Sequence, residues 1–481
     1  MTNDIIILIP GIGGSKLERD GKAIYDLSLP SLPRLIWNWV GVKIAFMGGS
    51  GKPDDGVVAT DLFNNQLIPG FFGVDDYDGL CVTLKSVVRD PARQFFKFPY
   101  DWRASNRWAA EALDAFIRPK LHEWRQGGGG PEARLWLVCH SMGGLVARYF
   151  LEALGGAAIT RHLITIGTPH RGAPKALNAL VNGLGLGPLD FSGVVRSFAS
   201  TYELLPQYPV VRLGQDGASP LARVAEFFDL SSLLPVPGDP CSPISAKTNL
   251  TPLPHVDRDR LRDALEFHAS IRRPVIQRMD NGDPAPYTIS CLFNRRQVTP
   301  QSARWSDRGL TMSDDPPQTF DPHEERAYQR GDGTVPGPSA VPIEWFDTAQ
   351  AMVVNQKHVA MPSAGVVTDL VYNLANPMQA RAYMSDGTAD GTIGLAAPPL
   401  VLAGQPFEIV VDAIKAAQLT VSVTAVESKV ASASERVHVR ERSSTSLAFT
   451  LLAPGSYRVT AKSVDPSRPE INDWVVAVSP P

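Results

Sequence analysis

Six near-continuous apolar runs punctuate the first three quarters of the chain, at 4–9, 95–98, 135–139, 162–166, 287–293 and 351–354. A run with no period-two alternation is the pattern of a strand buried on both faces of a parallel sheet. Between the runs the apolar spacing lengthens to that of helices. Trp108, Leu113, Phe116, Leu121 and Trp124 follow Ser105, a candidate cap, and 145–154 makes a second helix closed by Gly155 and Gly156. Strands alternating with helices predict a doubly wound α/β sheet.

Two stretches break this rhythm. Residues 184–286 mix Pro, Gly and short apolar clusters such as 202–206 with amphipathic segments near 221–235 and 260–273, too long for an ordinary connection. Residues 18–75 hold Trp37, Trp39, Phe46, Phe71 and Phe72, which either pack a subdomain or face a ligand. Both read as insertions, partly helical in the longer case, that form a lid or cap. From 385 the pattern changes again. A linker-like segment (385–392) precedes alternating stretches at 407–411, 419–426, 437–440, 447–451, 457–462 and 474–478, with turns such as 453–456. Alternation of this kind predicts an antiparallel, immunoglobulin-like β-sandwich over 385–481, following an α/β domain over 1–384.

Composition narrows the function classes. The 481 residues are 44% hydrophobic, which excludes disorder as the main state. Lys and Arg number 46 against 49 Asp and Glu, so no basic excess exists for nucleic acid, which is not expected as a partner. The opening apolar run ends at Pro10 and is too short for a signal segment, and no run of about 18 apolar residues follows to span a membrane; a cytoplasmic protein is expected. Cys81, Cys139, Cys241 and Cys291 make no CxxC pair and the histidines no HxxxH pair, so neither metal nor other cofactor is expected.

The sharpest chemical signal is 135–149, in which a buried strand runs into Ser141, flanked by Cys139 and Gly143, and then into a helix. This is the layout of a nucleophile elbow, with Cys in place of the first Gly of GxSxG. In α/β hydrolases an acid and then a histidine follow the serine. Asp332, between glycines in 330–336, and His358, just past the run at 351–354, fit that order. Asp332 as a simple turn former, and Asp283, Asp307, Asp314 and Asp321 as rival acids, remain open at this point. His170, in 167–174, is the competing base but precedes every candidate acid, and alternation turns His140 away from the serine side. For the oxyanion, the main-chain N–H of Met142 and one from the glycine loop 10–15 are expected, that of Ile12 first and Gly13 next to the ligand. The same loop lacks the GK[ST] ending of a phosphate-binding loop.

Taken together, IPGIGGSKL (9–17), FPYDWR (98–103), HSMG (140–143), GTPHRG (167–172), GDGTVP (331–336) and His358 occur in one order, and in this the chain resembles the lecithin:cholesterol acyltransferase family of α/β hydrolases. The resemblance runs in patches across about 4–375 and stops before the sandwich. It implies Ser141, Asp332 and His358 as the triad and Ile12 with Met142 as oxyanion donors. It also implies Trp102 as a lining of the acyl groove, with a packed structural turn as the alternative. The family comprises phospholipases A, transacylases and sterol or glyceride acyltransferases. Three features depart from it: Ile12 stands where phospholipase-type members carry an acid, no close Cys pair occurs in 18–80, and the sandwich is foreign.

The expectation is therefore a serine-dependent lipid acyl hydrolase of the lipase or phospholipase A type, working through an acyl-enzyme on a lipid ester. Acyl transfer to a lipid alcohol is the near alternative, and a binding protein on a hydrolase fold the distant one. The sandwich leaves open a transient membrane contact or a protein partner.

Overall fold

A computed structural model describes residues 1–24, 55–63, 66–68, 72–74, 77–186, 189–190, 192–213, 221–222, 224, 256–306, 309–317, 330–345, 349–376, 393–413, 415–426, 431–465 and 470–479. Much of both expected lids, including Trp37, Trp39, Phe46 and most of 221–235, lies outside the described residues.

The apolar runs form one parallel sheet. Its strands are β1 (Ile5–Ile9), β2 (Phe95–Lys97), β3 (Leu135–His140), β4 (Thr160–Ile166), β5 (Thr288–Phe293) and β6 (Gln350–Val353), in the spatial order β6-β5-β4-β3-β1-β2. Every pairing is parallel, for example Ile7 with Leu137 and Cys291 with Thr165. All of β1 and β3 is buried because helices cover both faces. Helices α1 (Tyr77–Ser86) and α6 (Gly365–Ala375) meet Ile6, Leu8, Trp136 and Val138. On the other face, α2 (Asn106–Trp124) and α3 (Gly143–Ala153) meet Ile5, Ile7, Ile9, Leu135 and Leu137. Ser105 caps α2, its Oγ accepting from the Arg107 N–H at 3.2 Å. Chain order reverses between β1 and β3, so their carboxyl ends open the crevice where α/β sheets place ligands.

Helix α4 (Pro174–Val181) follows β4, and the amphipathic segment near 260–273 lies in the 24-residue α5 (Arg258–Asn281), whose Phe267 stacks on Tyr149 of α3 at 5.3 Å. Thus the described part of the longer insertion packs on the helix that follows Ser141.

The C-terminal strands are β7 (Ile393–Ala396), β8 (Leu400–Leu402), β9 (Pro406–Ala413), β10 (Ala417–Ala425), β11 (Ala431–Val439), β12 (Ser443–Thr450), β13 (Gly455–Ser463) and β14 (Ile471–Val478). They form two sheets, β7-β9-β12 and β8-β14-β13-β10-β11, antiparallel except for β8 with β14. The two enclose a core of alternate residues such as Ile409, Val411, Val421 and Val459. The chain is a parallel α/β sheet covered by helices on both faces, followed by an antiparallel β-sandwich. Strand β14 serves both units, since Val475 and Ala477 fill the sandwich while Val476 and Val478 join the α/β core.

Candidate active site

The strand-to-helix turn after β3 forces Ser141 to a φ of 51°, a conformation that a side chain with a Cβ rarely adopts. Its N–H donates to the Ile166 carbonyl at 2.8 Å, which fixes the turn to β4. Only small neighbours fit. A Cβ on Gly143 would lie 2.4 Å from the Pro10 carbonyl oxygen, and one on Gly167, whose φ is 61°, would lie 2.9 Å from His358 Nδ1. Cys139 is accommodated at 0% exposure in the sheet, where burial pushes its thiol well above the usual range and keeps it protonated.

Asp332 and His358 reach this turn from the loops beyond β5 and β6. The Ser141 hydroxyl donates to His358 Nε2 at 2.9 Å, and His358 Nδ1–H donates to Asp332 Oδ2 at 2.7 Å. The second carboxylate oxygen accepts the N–H groups of Thr334 (2.9 Å) and Val335 (2.7 Å), and the His358 N–H donates to the Asp332 carbonyl at 2.9 Å. All three residues are at most 2% exposed. The rival Asp283 is exposed and hydrogen-bonds to Asn281, while Asp314 lies in the exposed turn after 309–313; Asp307 and Asp321 fall outside the described residues. His170 faces Thr165 Oγ1 at 3.2 Å rather than Ser141.

The glycine loop lies directly on the serine, a Cβ on Gly11 falling 2.8 Å from that of Ser141. Ile12 and Met142 are buried, and among the described residues neither main-chain N–H has an acceptor. Gly13 has a φ of 73° in the turn closed by the Gly14 N–H and the Gly11 carbonyl. The FPYDWR segment holds the loop from beneath. Tyr100 OH donates to the Pro10 carbonyl (3.0 Å), the Tyr100 N–H to Ser15 Oγ (3.0 Å) and Trp102 Nε1–H to the Ser15 carbonyl (3.1 Å). Trp102 is 0% exposed, its ring set edge-on against Phe198 at 5.6 Å. It therefore occupies the packed position rather than an open groove wall. Arg103, fully buried, is held by both oxygens of Asp101 and by Asp55.

A contact that sequence reasoning missed lies behind the histidine. His140 points to the other side of β3, as alternation requires, and there its Nε2–H donates to the His358 carbonyl at 3.1 Å. Its Nδ1 accepts from Tyr77 OH at 2.9 Å, and Tyr77 OH accepts from the Gly11 N–H at 3.1 Å. One hydrogen-bonded chain thus joins the glycine loop to the His358 turn. Burial, with His358 adding to it, pushes the His140 pKa down to about 3, so the imidazole stays neutral and keeps its tautomer. Nothing in the local sequence marks Tyr77, which is 63 residues from His140.

The described residues contain no cluster of three metal-ligating side chains, and no described helix is long and apolar enough to cross a membrane.

Comparison with known proteins adds a family. The lecithin:cholesterol acyltransferase family model matches residues 38–221, which takes in FPYDWR, the Ser141 turn and GTPHRG. No curated protein matches the chain. Among solved structures, phospholipase PlaB from Legionella pneumophila aligns over 99% of this chain and 93% of its own at 10% identity and a TM-score of 0.34. Lipase BlEst2 from Bacillus licheniformis, in propeptide form, aligns over 99% and 94% at 10% identity and a TM-score of 0.29. The CARDB domain of PF1109 from Pyrococcus furiosus aligns with 20% of this chain and 100% of its own at 16% identity and a TM-score of 0.15. Over 38–221, then, the chain is similar to the lecithin:cholesterol acyltransferase family, and this match supports an enzyme acting on lipid esters.

Proposed function

We propose that the chain is a serine lipid acyl hydrolase. The observation that carries this is the unbroken hydrogen-bonded series from Asp332 through His358 to Ser141, set at a strained elbow beside two unengaged main-chain donors. His358 takes the hydroxyl proton as Ser141 Oγ attacks the ester carbonyl, and Asp332 holds the imidazole tautomer and offsets its charge. The oxyanion is received by the N–H groups of Ile12 and Met142. Collapse of the tetrahedral adduct breaks the ester C–O bond, His358 returns the proton to the departing alcohol, and the acyl group remains on Ser141. Water, deprotonated by the same histidine, then releases the acid.

The test is product identification by mass spectrometry after incubating a total lipid extract with the wild-type chain and with Ser141→Ala. Fatty acid release by the wild type alone is expected, and equal release by the variant overturns the proposal. Adding a sterol, lyso-lipid or diglyceride acceptor distinguishes hydrolysis from transfer, because transfer appears as new ester in place of free acid.

A further inference from the structure

Two polar side chains lie between α1, α6 and the sheet, in a layer packed largely with apolar groups such as Ile6, Leu8, Leu84, Val354 and Met361. They are Tyr77 of α1, 0% exposed, and His140, the last residue of β3, 1% exposed. A phenol and an imidazole in such a layer cost stability unless their polar atoms are matched, and an apolar pair of similar shape would fill the space without that risk. Packing alone does not account for them.

Every polar atom of the pair is matched, and in only one way. The His358 carbonyl can only accept, so the proton of the neutral His140 ring sits on Nε2, 3.1 Å from that oxygen, and Nδ1 is bare. Tyr77 OH must then donate to Nδ1 at 2.9 Å, while its oxygen receives the Gly11 N–H at 3.1 Å. Burial raises the Tyr77 pKa, so the phenol keeps the proton this bond needs. The three bonds donate in the same direction, from Gly11 to His358, an arrangement in which each polarises the next.

Both ends of the chain are main chain of the site itself. Gly11 precedes Ile12, the oxyanion donor of the proposal above, and a Cβ on Gly11 would fall 2.8 Å from that of Ser141 and 3.4 Å from His140 Nδ1. At the other end, the His358 N–H is tied to the Asp332 carbonyl at 2.9 Å. With its own carbonyl tied to His140, the peptide units on both sides of the His358 Cα are fixed.

We propose that Tyr77 and His140 are positioning residues that hold the oxyanion loop and the catalytic base in one register. They act through Ile12 and His358 rather than on the substrate, and the inference rests on the serine hydrolase reading. Breaking either link frees both ends, so the Ile12 N–H and the His358 imidazole lose their common alignment on Ser141.

The test uses the full chain and a soluble ester, p-nitrophenyl butyrate, with Ser141→Ala as the reference for the underlying chemistry. Tyr77→Phe removes one oxygen and keeps the ring. It and His140→Ala are each expected to lower kcat at least about tenfold with KM within about twofold of the wild type. The double variant is expected to lose no more than about twofold beyond the larger single loss, because both changes cut one chain. Should His140→Ala fail to fold, Tyr77→Phe alone decides. A smaller fall in kcat for Tyr77→Phe, a rise in KM in its place, or losses that multiply in the double variant overturns the inference. If Ser141→Ala turns over the ester as the wild type does, the serine reading fails instead. The low-field proton resonance of His358 Nδ1, identified by its loss in His358→Gln, then decides: a shift in Tyr77→Phe upholds the positioning role, and an unchanged resonance overturns it.

Discussion

The α/β unit and the C-terminal sandwich bury apolar surface in opposite ways, and their chemistry differs accordingly. Strands β1 and β3 are buried on both faces, so their ends are the places where backbone turns can expose functional groups. There the molecule tolerates a serine at positive φ, buried charges and unengaged N–H groups. The sandwich strands alternate, as in the burial of Phe407, Ile409, Val411 and Ala413 along β9, and their core is apolar throughout. Buried polarity costs stability, so it gathers where a site is built, and the rest of the molecule offsets it. The sandwich is not detached from the site. Asp473 of β14 accepts from Lys357, next to His358 in sequence, and Gln297, whose N–H donates to the Gly331 carbonyl, holds the Leu395 N–H through its side chain.

Single substitutions separate the two units. His358→Gln is expected to lower kcat by roughly 10⁴-fold with Tm nearly unchanged, and adding Ser141→Ala to deepen the loss little, since the pair acts as one. Val421→Ala, at a fully buried sandwich position, should cost about 2 kcal/mol in chemical denaturation and leave kcat alone. A Val421 variant that loses turnover while still folded would erase the contrast.

Between these extremes lies Asp473→Asn, which weakens the tie to Lys357. A loss of roughly tenfold in kcat is expected from misplacement of the His358 turn, with KM little changed. If kcat stays at the wild-type value, the sandwich does not position the site.

Acid should act on the α/β unit first. Burial holds His140 down to about 3, His162 and His268 to about 4, and His170 well below its ordinary value. In the unfolded chain these rings take up protons below about pH 6.5, whereas the folded rings do not, so stability falls as pH drops from about 6.5 toward 4. Glu203 opposes this. Burial raises its carboxyl to about 7, and its share of stability is full below about pH 4.5 and lost as pH rises to 7. Tm measured against pH should therefore fall toward acid, more steeply in Glu203→Gln. The smallest effect is expected at Leu452, 86% exposed, where Leu452→Ser should change stability by less than about 0.5 kcal/mol.

Legibility in the sequence followed the same division. The six apolar runs correspond to β1–β6 within a residue or two, because burial on both faces leaves a dense local signature. The six alternating stretches fall in β9–β14, whereas β7 and β8, of four and three residues, are too short to show a period. Side-chain order along the chain selected Ser141, Asp332 and His358, which the structure places in hydrogen-bond contact. The same reading left Trp102 open between groove and packing, since an aromatic residue in a loop looks alike in both.

By itself, the sequence determined the sheet, the sandwich and the elbow, each being a matter of local spacing and small residues. Only the tertiary structure decided what stands behind them: the link from Tyr77 through His140 to His358, and the bracing of the glycine loop by Tyr100 and Trp102. These contacts join residues tens to more than a hundred positions apart. No period or motif encodes such a meeting, because it is fixed by how the helices pack on the sheet.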